Sequence, residues 1–508
     1  MASQSHEATS SSQKTSHKGE HHGDHSDGTL PITRGSYVFS ICACINSCNL
    51  GFDLGATTNV GPLVEAQLGL TTAQRELFVG SLDFWAIVGG FLSNWICDKY
   101  GRRRSFITAA LGFIIGSVIT GASNSFFILM VGRMFVGLGI GFGLAIDPLY
   151  IAEITPAAHR GKMVTWSEIA VNIGIVFGLF TAIMFYGVAD SLKWRLMLYM
   201  GALLPLVMIY LVLTVMPESP RWLVNRGRFD EAKAVLQKVY PPGFDVDAVI
   251  ADIKEVIERE RLADQNIGWG AVLCPTKAFR RMLMVGLGTA VAQQAVGIDS
   301  IFYYMNDLIK RSGIKSETSQ LSVLMLLGCC KLVFVFVGGK LFDKLGRRPL
   351  LGASLIGMCL CLIMIAFTEN VAQITGVALY LSFYSIGMGP GAWLVPSEIF
   401  ATSIRAKGMS LATTLNRAVA TIVASTFLTT ANAMGWTEYF LMLAGICFIL
   451  TVFLYVYLPE TKGRSLEDMT LYFAEITNDT SILDAEATLR RNDDVEKPVN
   501  ELSPLITQ

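Results

Sequence analysis

Apolar residues in this chain come in long runs broken by short clusters of charge. A helix needs about 20 mostly apolar residues to cross a bilayer core, and twelve stretches approach that length. They lie at roughly 36–58, 77–97, 105–122, 127–150, 164–187 and 195–216, then at 281–305, 318–341, 349–368, 371–395, 408–431 and 437–458. The pattern predicts an all-α membrane protein of twelve transmembrane helices, numbered here as spans 1 to 12. Residues 1–34 are polar and rich in Ser and His, and read as a disordered tail with no cleavable signal peptide. Residues 217–280 form the one long internal loop. Within it Phe229 to Tyr240 and Val246 to Leu262 have amphipathic, charge-rich patterning, which predicts short helices lying under the bundle. Residues 469–508 read as a second polar tail.

The charged clusters repeat. Asp98-Lys-Tyr-Gly-Arg102-Arg103 returns as Asp343-Lys-Leu-Gly-Arg347-Arg348. Glu153 with Arg160, Gly161 and Lys162 returns as Glu398 with Arg405, Ala406 and Lys407, at the same offset (98 to 343, 153 to 398). Two unrelated coincidences do not share an offset. The chain is a duplicated unit, with six-helix halves at 35–216 and 281–468. Two halves that rock against each other are the architecture of a secondary transporter.

Composition removes other classes. Of 508 residues 52% are hydrophobic and 16% charged, against about 25% charged in soluble domains, so the chain meets membrane lipid. A net charge of −1 offers no field for nucleic acid. The ten cysteines have neither zinc-ligand nor disulfide-framework spacing and read as reduced thiols, mostly inside apolar stretches. His6, His17, His21, His22 and His25 sit in the N-terminal tail and His159 in a loop, which leaves the spans without a histidine for a metal site or a catalytic base. There is no Gly-Lys-Ser/Thr phosphate loop and no nucleophile–base arrangement. The expectation is therefore no metal, no cofactor and no enzyme.

Basic residues fill the loops after spans 2, 4, 8 and 10 and are missing after spans 3, 9 and 11. That places the even loops and both termini in the cytoplasm; Lys310, Arg311 and Lys315 after span 7 are a mild exception. The sequon at Asn478 is then cytoplasmic. Plasma membrane is the expected location. The ending Glu501-Leu-Ser-Pro-Leu505-Ile506 fits an acidic dileucine signal for a sorting adaptor, which keeps a vacuolar or endosomal membrane open.

Six motifs in order carry a family resemblance: Asp98 to Arg104, Glu153 to Lys162, Pro217-Glu218-Ser-Pro-Arg221, Gln293-Gln294-x-x-Gly297-Ile298, Gly389-Pro390-x-x-Trp393, and Pro459-Glu460-Thr-Lys-Gly-Arg464. Over residues 35–470 the chain resembles the sugar porter branch of the major facilitator superfamily. Glu168, Asp299, Lys331 and Asn416-Arg417 make it similar to the plant polyol/monosaccharide proton symporters within that branch. Span 1 departs, reading Gly51-Phe-Asp53-Leu-Gly55-Ala-Thr57, and Asp83 and Asp147 are also unusual.

A charge at the bilayer centre is costly, so each buried ionisable residue is a functional candidate. Asp53 in span 1 is the sharpest, with Arg133 of span 4 as its expected partner. The resemblance implies that this pair is a proton site, released when Asp53 takes up a proton; the alternative is a static ion pair. Glu168, Asn172, Gln293, Gln294, Asp299, Trp393 and Asn416 are expected to bind substrate, because amides and carboxylates match hydroxyl groups and an indole offers one flat apolar face. Tyr303 and Tyr304 are weaker candidates, one of them as an outer gate. Asp299 and Lys331 either neutralise each other or read substrate hydroxyls, and Arg417 pairs with Glu168 or with Asp299. Asp83 and Asp147 have no evident partner.

Asp98, Arg102, Arg103, Arg160, Arg221, Asp343, Arg347, Arg348 and Arg405 stand with Glu153, Glu218, Glu398 and Glu460 at the cytoplasmic helix ends. The expectation is a latch whose pairs form when that side is closed and separate when it opens. Together these readings predict a proton-coupled symporter of polyols or monosaccharides, working as a monomer by alternating access. A facilitator and a non-transporting sugar sensor are the rivals.

Overall fold

The computed structural model describes residues 33–483, apart from 157–158, 160–162, 164–165 and 267–268. Arg160 with Gly161 and Lys162, the tail before residue 33, and the Glu501 to Ile506 motif lie outside the described residues, as does the side chain of Asp343. Eleven described helices are long and apolar enough to cross a membrane. The first six spans are Arg34–Leu68, Thr72–Tyr100, Arg102–Ala122, Phe126–Ile154, Trp166–Met184 and the pair Asp190–Met200 with Leu203–Thr214. Spans 8 to 12 are Glu317–Leu345, Arg347–Phe367, Asn370–Ile386 with Met388–Ile399, Arg405–Met434 and Trp436–Tyr457.

Span 7 completes the twelve but is not one helix. It runs as Lys277–Ala295, Ile298–Tyr303 and Met305–Arg311. Gly297 causes the first break, with φ at +84° where a side chain would be strained. A broken helix at membrane depth must have its freed carbonyls satisfied by protein. Tyr380 donates its hydroxyl to Val296 O at 2.9 Å. Thr58 of span 1 donates to Phe302 O at 3.1 Å, and Asn306 Nδ2 donates back to Thr58 O at 3.0 Å.

Inside the first half the helices touch along glycines. A Cβ added at Gly51 would stand 1.8 Å from Val171 O, and one at Gly55 2.3 Å from Ile175 O. Gly174 and Gly178 of span 5 meet Cys48 and Phe52 of span 1 in the same way. Small residues of this kind are how helices pack closely in lipid. The approach presses spans 1 and 5 together and sets the side chains between them.

The linker holds helices Pro220–Asn225, Phe229–Val239, Val246–Asn266 and Gly270–Leu273. After span 12 the helix Leu466–Thr477 carries regular structure past the 468 boundary. Ser465 and Asp468 cap it reciprocally, and it buries Met469, Phe473 and Ala474. The sequence pattern reads there as a polar tail, because Glu467, Asp468 and Glu475 interleave with the apolar face.

Candidate functional site

Span 1 carries Asp53 between its two close-packing glycines, and span 4 brings Arg133 to it. Arg133 Nη1 donates to both carboxylate oxygens of Asp53, at 2.7 and 3.0 Å. Arg133 is 0% exposed and Asp53 4%. Thr57 donates to Asp53 Oδ2 at 3.3 Å, Arg133 Nε donates to Phe78 O at 3.0 Å, and the guanidinium lies 4.6 Å from the Phe78 ring centroid. Arg133 Nη2 is buried without a hydrogen-bond partner. The pair expected from sequence is thus formed. Removing the charge from Asp53 would leave a buried guanidinium without its anion, an unfavourable state that must relax by movement.

The polar residues of the second half form one connected chain. Gln293 Nε2 donates to Gly389 O at 2.8 Å, and Asn416 Nδ2 donates to Gln293 Oε1 at 2.8 Å and to Ala290 O at 2.7 Å. Arg417 donates to Asn416 Oδ1 through Nε and Nη2, and Gln294 Nε2 donates to Asp299 Oδ2 at 2.8 Å. Gln293, Asn416 and Gln294 are therefore helix-joining groups whatever else they bind. Trp393 is half-buried. Tyr303 is buried, and Tyr304 donates to Ala424 O at 3.0 Å while stacking on Phe427. Within span 5, in the other half, Asn172 Nδ2 donates to Glu168 O at 2.8 Å, and Asn172 Oδ1 has no partner. The Glu168 carboxylate approaches Gly389, its Oε1 lying 3.8 Å from where a Cβ on that glycine would stand.

Two pairings differ from the sequence reading. Arg417 pairs with Asp83 of span 2, at 2.9 Å; of its two expected partners it meets Asp299, at 3.8 Å, and not Glu168. Asp83 therefore has a partner, supplied by the opposite half. No ion pair joins Asp299 to Lys331: the Lys331 ammonium is buried between the rings of Phe302 and Tyr384, 5.5 and 5.7 Å from their centroids. The cause is the break at Gly297, which turns Asp299 towards Gln294 and Arg417.

The repeated charges hold each half together. Arg102 makes a bidentate pair with Glu153, at 2.8 and 2.7 Å, and Arg347 does the same with Glu398. Glu218 accepts from the backbone N–H of Arg102 at 2.7 Å, and Glu460 from that of Arg347 at 2.9 Å. Gly101 and Gly346 make room for these carboxylates, at φ +91° and +90°; a Cβ there would lie 2.4 and 2.8 Å from a carboxylate oxygen. Arg103 and Arg348 donate to Val212 O and Tyr455 O. Arg405 donates to Ser397 O, Arg221 pairs with Glu260 in the linker, and exposed Asp98 stands 3.8 Å from Arg102. The described pairs close within one half, because Glu218 and Glu460 cap helices of their own repeats while Glu153 and Glu398 pair with arginines of theirs. Among the described residues, the expected latch pairs lie inside each half.

Among the described residues, hydrogen bonds between halves lie deep in the bundle or at the face opposite the linker. Arg75 pairs with Asp307 and Glu65, Lys193 with Glu317, and Glu76 accepts from Thr429 N at 2.7 Å. Sequence reasoning missed these residues; the signal was an Arg75-Glu76 pair at the start of an apolar span.

Residues 12–473 match the family model described as Sugar (and other) transporter. The chain belongs to that family. It is a membrane transporter of the major facilitator fold, not an enzyme. Among relatives of this sugar transporter are "Probable polyol transporter 4" of Arabidopsis thaliana, 36% identical over 440 residues (85% of this chain, 84% of that protein), and "Polyol transporter 5" of the same plant, 33% identical over 472 residues (87% of each). The partially occluded inward-open xylose transporter XylE from E. coli superposes with a TM-score of 0.74 at 22% identity, covering 85% of this chain and 99% of that one. The proton:xylose symporter XylE bound to 6-bromo-6-deoxy-D-glucose gives 0.73 at 23%, covering 86% and 99%. At that identity the likeness carries the fold.

Proposed function

We propose that this sugar transporter moves a polyol or a monosaccharide together with a proton, by alternating access, as a monomer with its linker face in the cytoplasm. The buried Asp53–Arg133 pair carries this reading. An ion pair held in a membrane bundle has a function that a hydrophobic replacement would not supply. Protonation of Asp53 releases Arg133, and spans 1 and 4 then become free to shift. The names of the plant relatives support a polyol, and the likeness to XylE, a proton:xylose symporter, supports proton coupling. Glu168, Asn172, Asp299, Lys331 and Trp393 surround the substrate, and the Asn172 oxygen is an open acceptor for a hydroxyl. The ion pairs at the face away from the linker close the outer side in the arrangement described here. Plasma membrane is the proposed location.

The test is uptake by proteoliposomes holding the full chain. An inward proton gradient should drive labelled sorbitol above its external concentration and alkalinise the medium. A competition panel of mannitol, xylitol, inositol, glucose and fructose then ranks the substrates. Uptake that equilibrates without accumulation and moves no protons would make the protein a facilitator.

A further inference from the structure

Asp147 belongs to none of the networks above. It lies on span 4, fourteen residues after Arg133 and six before Glu153, and is 1% exposed. Two neutral groups of span 1 reach it: Asn46 Nδ2 donates to Oδ1 at 2.9 Å, and the Ser47 hydroxyl donates to Oδ2. No Lys or Arg pairs with it among the described residues. Beside it is a cavity with room of about 20 Å³, bounded by spans 1, 4 and 5 and lined by Asn46, Ser47, Asn49, Gly143, Asp147 and Val171, among others. That space suits a single water, since one needs roughly 10–15 Å³ by this measure. Asn49 donates to Asn46 Oδ1 at 3.2 Å, and its own Oδ1 is buried with no partner. The site therefore holds an open acceptor as well as an uncompensated carboxylate.

Position gives this site its meaning. Asn46, Asn49 and Asp53 follow one another at helical spacing on span 1, so they share a face. At 1.5 Å per residue Asn46 sits about 10 Å nearer the linker end than Asp53. The titratable groups facing Asp147 from span 1 are the thiols of Cys44 and Cys48. Span 5 faces the cavity with Val171, while its Glu168 lies by Gly389. Span 4 brings no second charged group, since its Arg133 and Glu153 are engaged by Asp53 and Arg102.

We propose that Asp147 is a second proton-binding carboxylate, on the inner side of Asp53, that takes the released proton and passes it to the cytoplasm. This rests on the symport reading above. The step is a plain transfer: a proton leaves the Asp53 carboxyl as spans 1 and 4 shift, enters the cavity that Asn49 lines one helical turn away, and converts the Asp147 carboxylate to the acid, which later loses it to the cytoplasm. Ser47 suits the exchange because its hydroxyl donates to the carboxylate and accepts from the acid. Chains of acidic residues serve as proton relays in other transporters.

The experiment uses proteoliposomes of the full chain with a pH dye in the lumen. In wild type, net substrate-driven proton delivery should depend on lumen pH. Asp147→Asn should slow net proton-driven uptake about a hundredfold or more, the scale of a lost proton-transfer group. It should slow substrate counterflow much less and flatten the lumen-pH dependence. Asp147→Glu keeps a proton-binding group and should restore that dependence, which keeps the test decisive if the Asn variant folds poorly. A wild-type protein that delivers no protons would sink the symport reading itself. Coupled wild type with unchanged lumen-pH dependence in Asp147→Asn would overturn the relay alone.

Discussion

Asp83 and Arg417 form a buried ion pair, 2.9 Å long, that joins span 2 of the first half to span 11 of the second. Arg417 also stands 3.8 Å from Asp299 of its own half, and Asp83 Oδ2 has no partner. One guanidinium is thus shared unequally between the two halves. Removing one partner of a buried pair costs about 3–5 kcal/mol. Asp83→Asn and Arg417→Gln should each destabilise the arrangement closed at the face away from the linker. A Ser425→Cys reporter, placed where Gly80 meets span 11, should then label faster. The double variant should label no faster than the worse single one, as expected for residues acting through one interaction. Additive labelling rates would show that the pair is not the lock.

The glycine seam between spans 1 and 5 makes a packing prediction. Gly51→Val places atoms where Val171 O already stands, whereas a Cβ at Gly445 meets nothing within 4 Å. Overpacking costs typically ~1–3 kcal/mol, and a backbone carbonyl gives way poorly. Gly51→Val should lower the melting temperature in detergent by several degrees or abolish expression, while Gly445→Ala should leave both unchanged. Equal tolerance at the two positions would refute the close approach.

Glu218 and Glu460 are counterparts in the repeat but should respond to pH with opposite sign. Burial pushes Glu218 above its ordinary 4.5 despite backbone donors from Ser219, Arg102 and Arg103. Burial also pulls Glu460 up, but N–H groups of Arg347, Lys462 and Arg348 outweigh it and hold the carboxyl below 4.5. The stability Glu460 contributes is complete above 4.5 and lost as pH falls through its folded value. Glu218 favours the folded protein when protonated, so its contribution fades as pH rises from 4.5 through its folded value. In melting curves against pH, Glu460→Gln should flatten the acid limb, and Glu218→Gln should remove a loss on the way to neutrality. The same slope change in both variants would contradict this.

Much of the fold was legible because membrane burial writes a coarse code: twelve apolar runs, and charge clusters repeated at one offset. Asp53 and Arg133 could be paired on paper because span 1 offers one carboxylate and span 4 one cation. What could not be read was direction. Gly297 breaks span 7, and the break aims Asp299 at Gln294 and Arg417, not at Lys331. Asp83 found its cation in the other half, a contact that no spacing announces. The repeated arginines read as a latch because each repeat carries both signs. Only the geometry at Gly101 and Gly346 shows that Glu218 and Glu460 cap helices of their own repeats.

The most direct measurement is substrate accumulation by Asp53→Asn in proteoliposomes under an inward proton gradient, read against downhill exchange in the same vesicles. The ratio of accumulated to exchanged substrate should fall to the value seen without a gradient, and substrate-driven proton entry should disappear. Accumulation by Asp53→Asn equal to wild type, with protons still entering, would contradict the account.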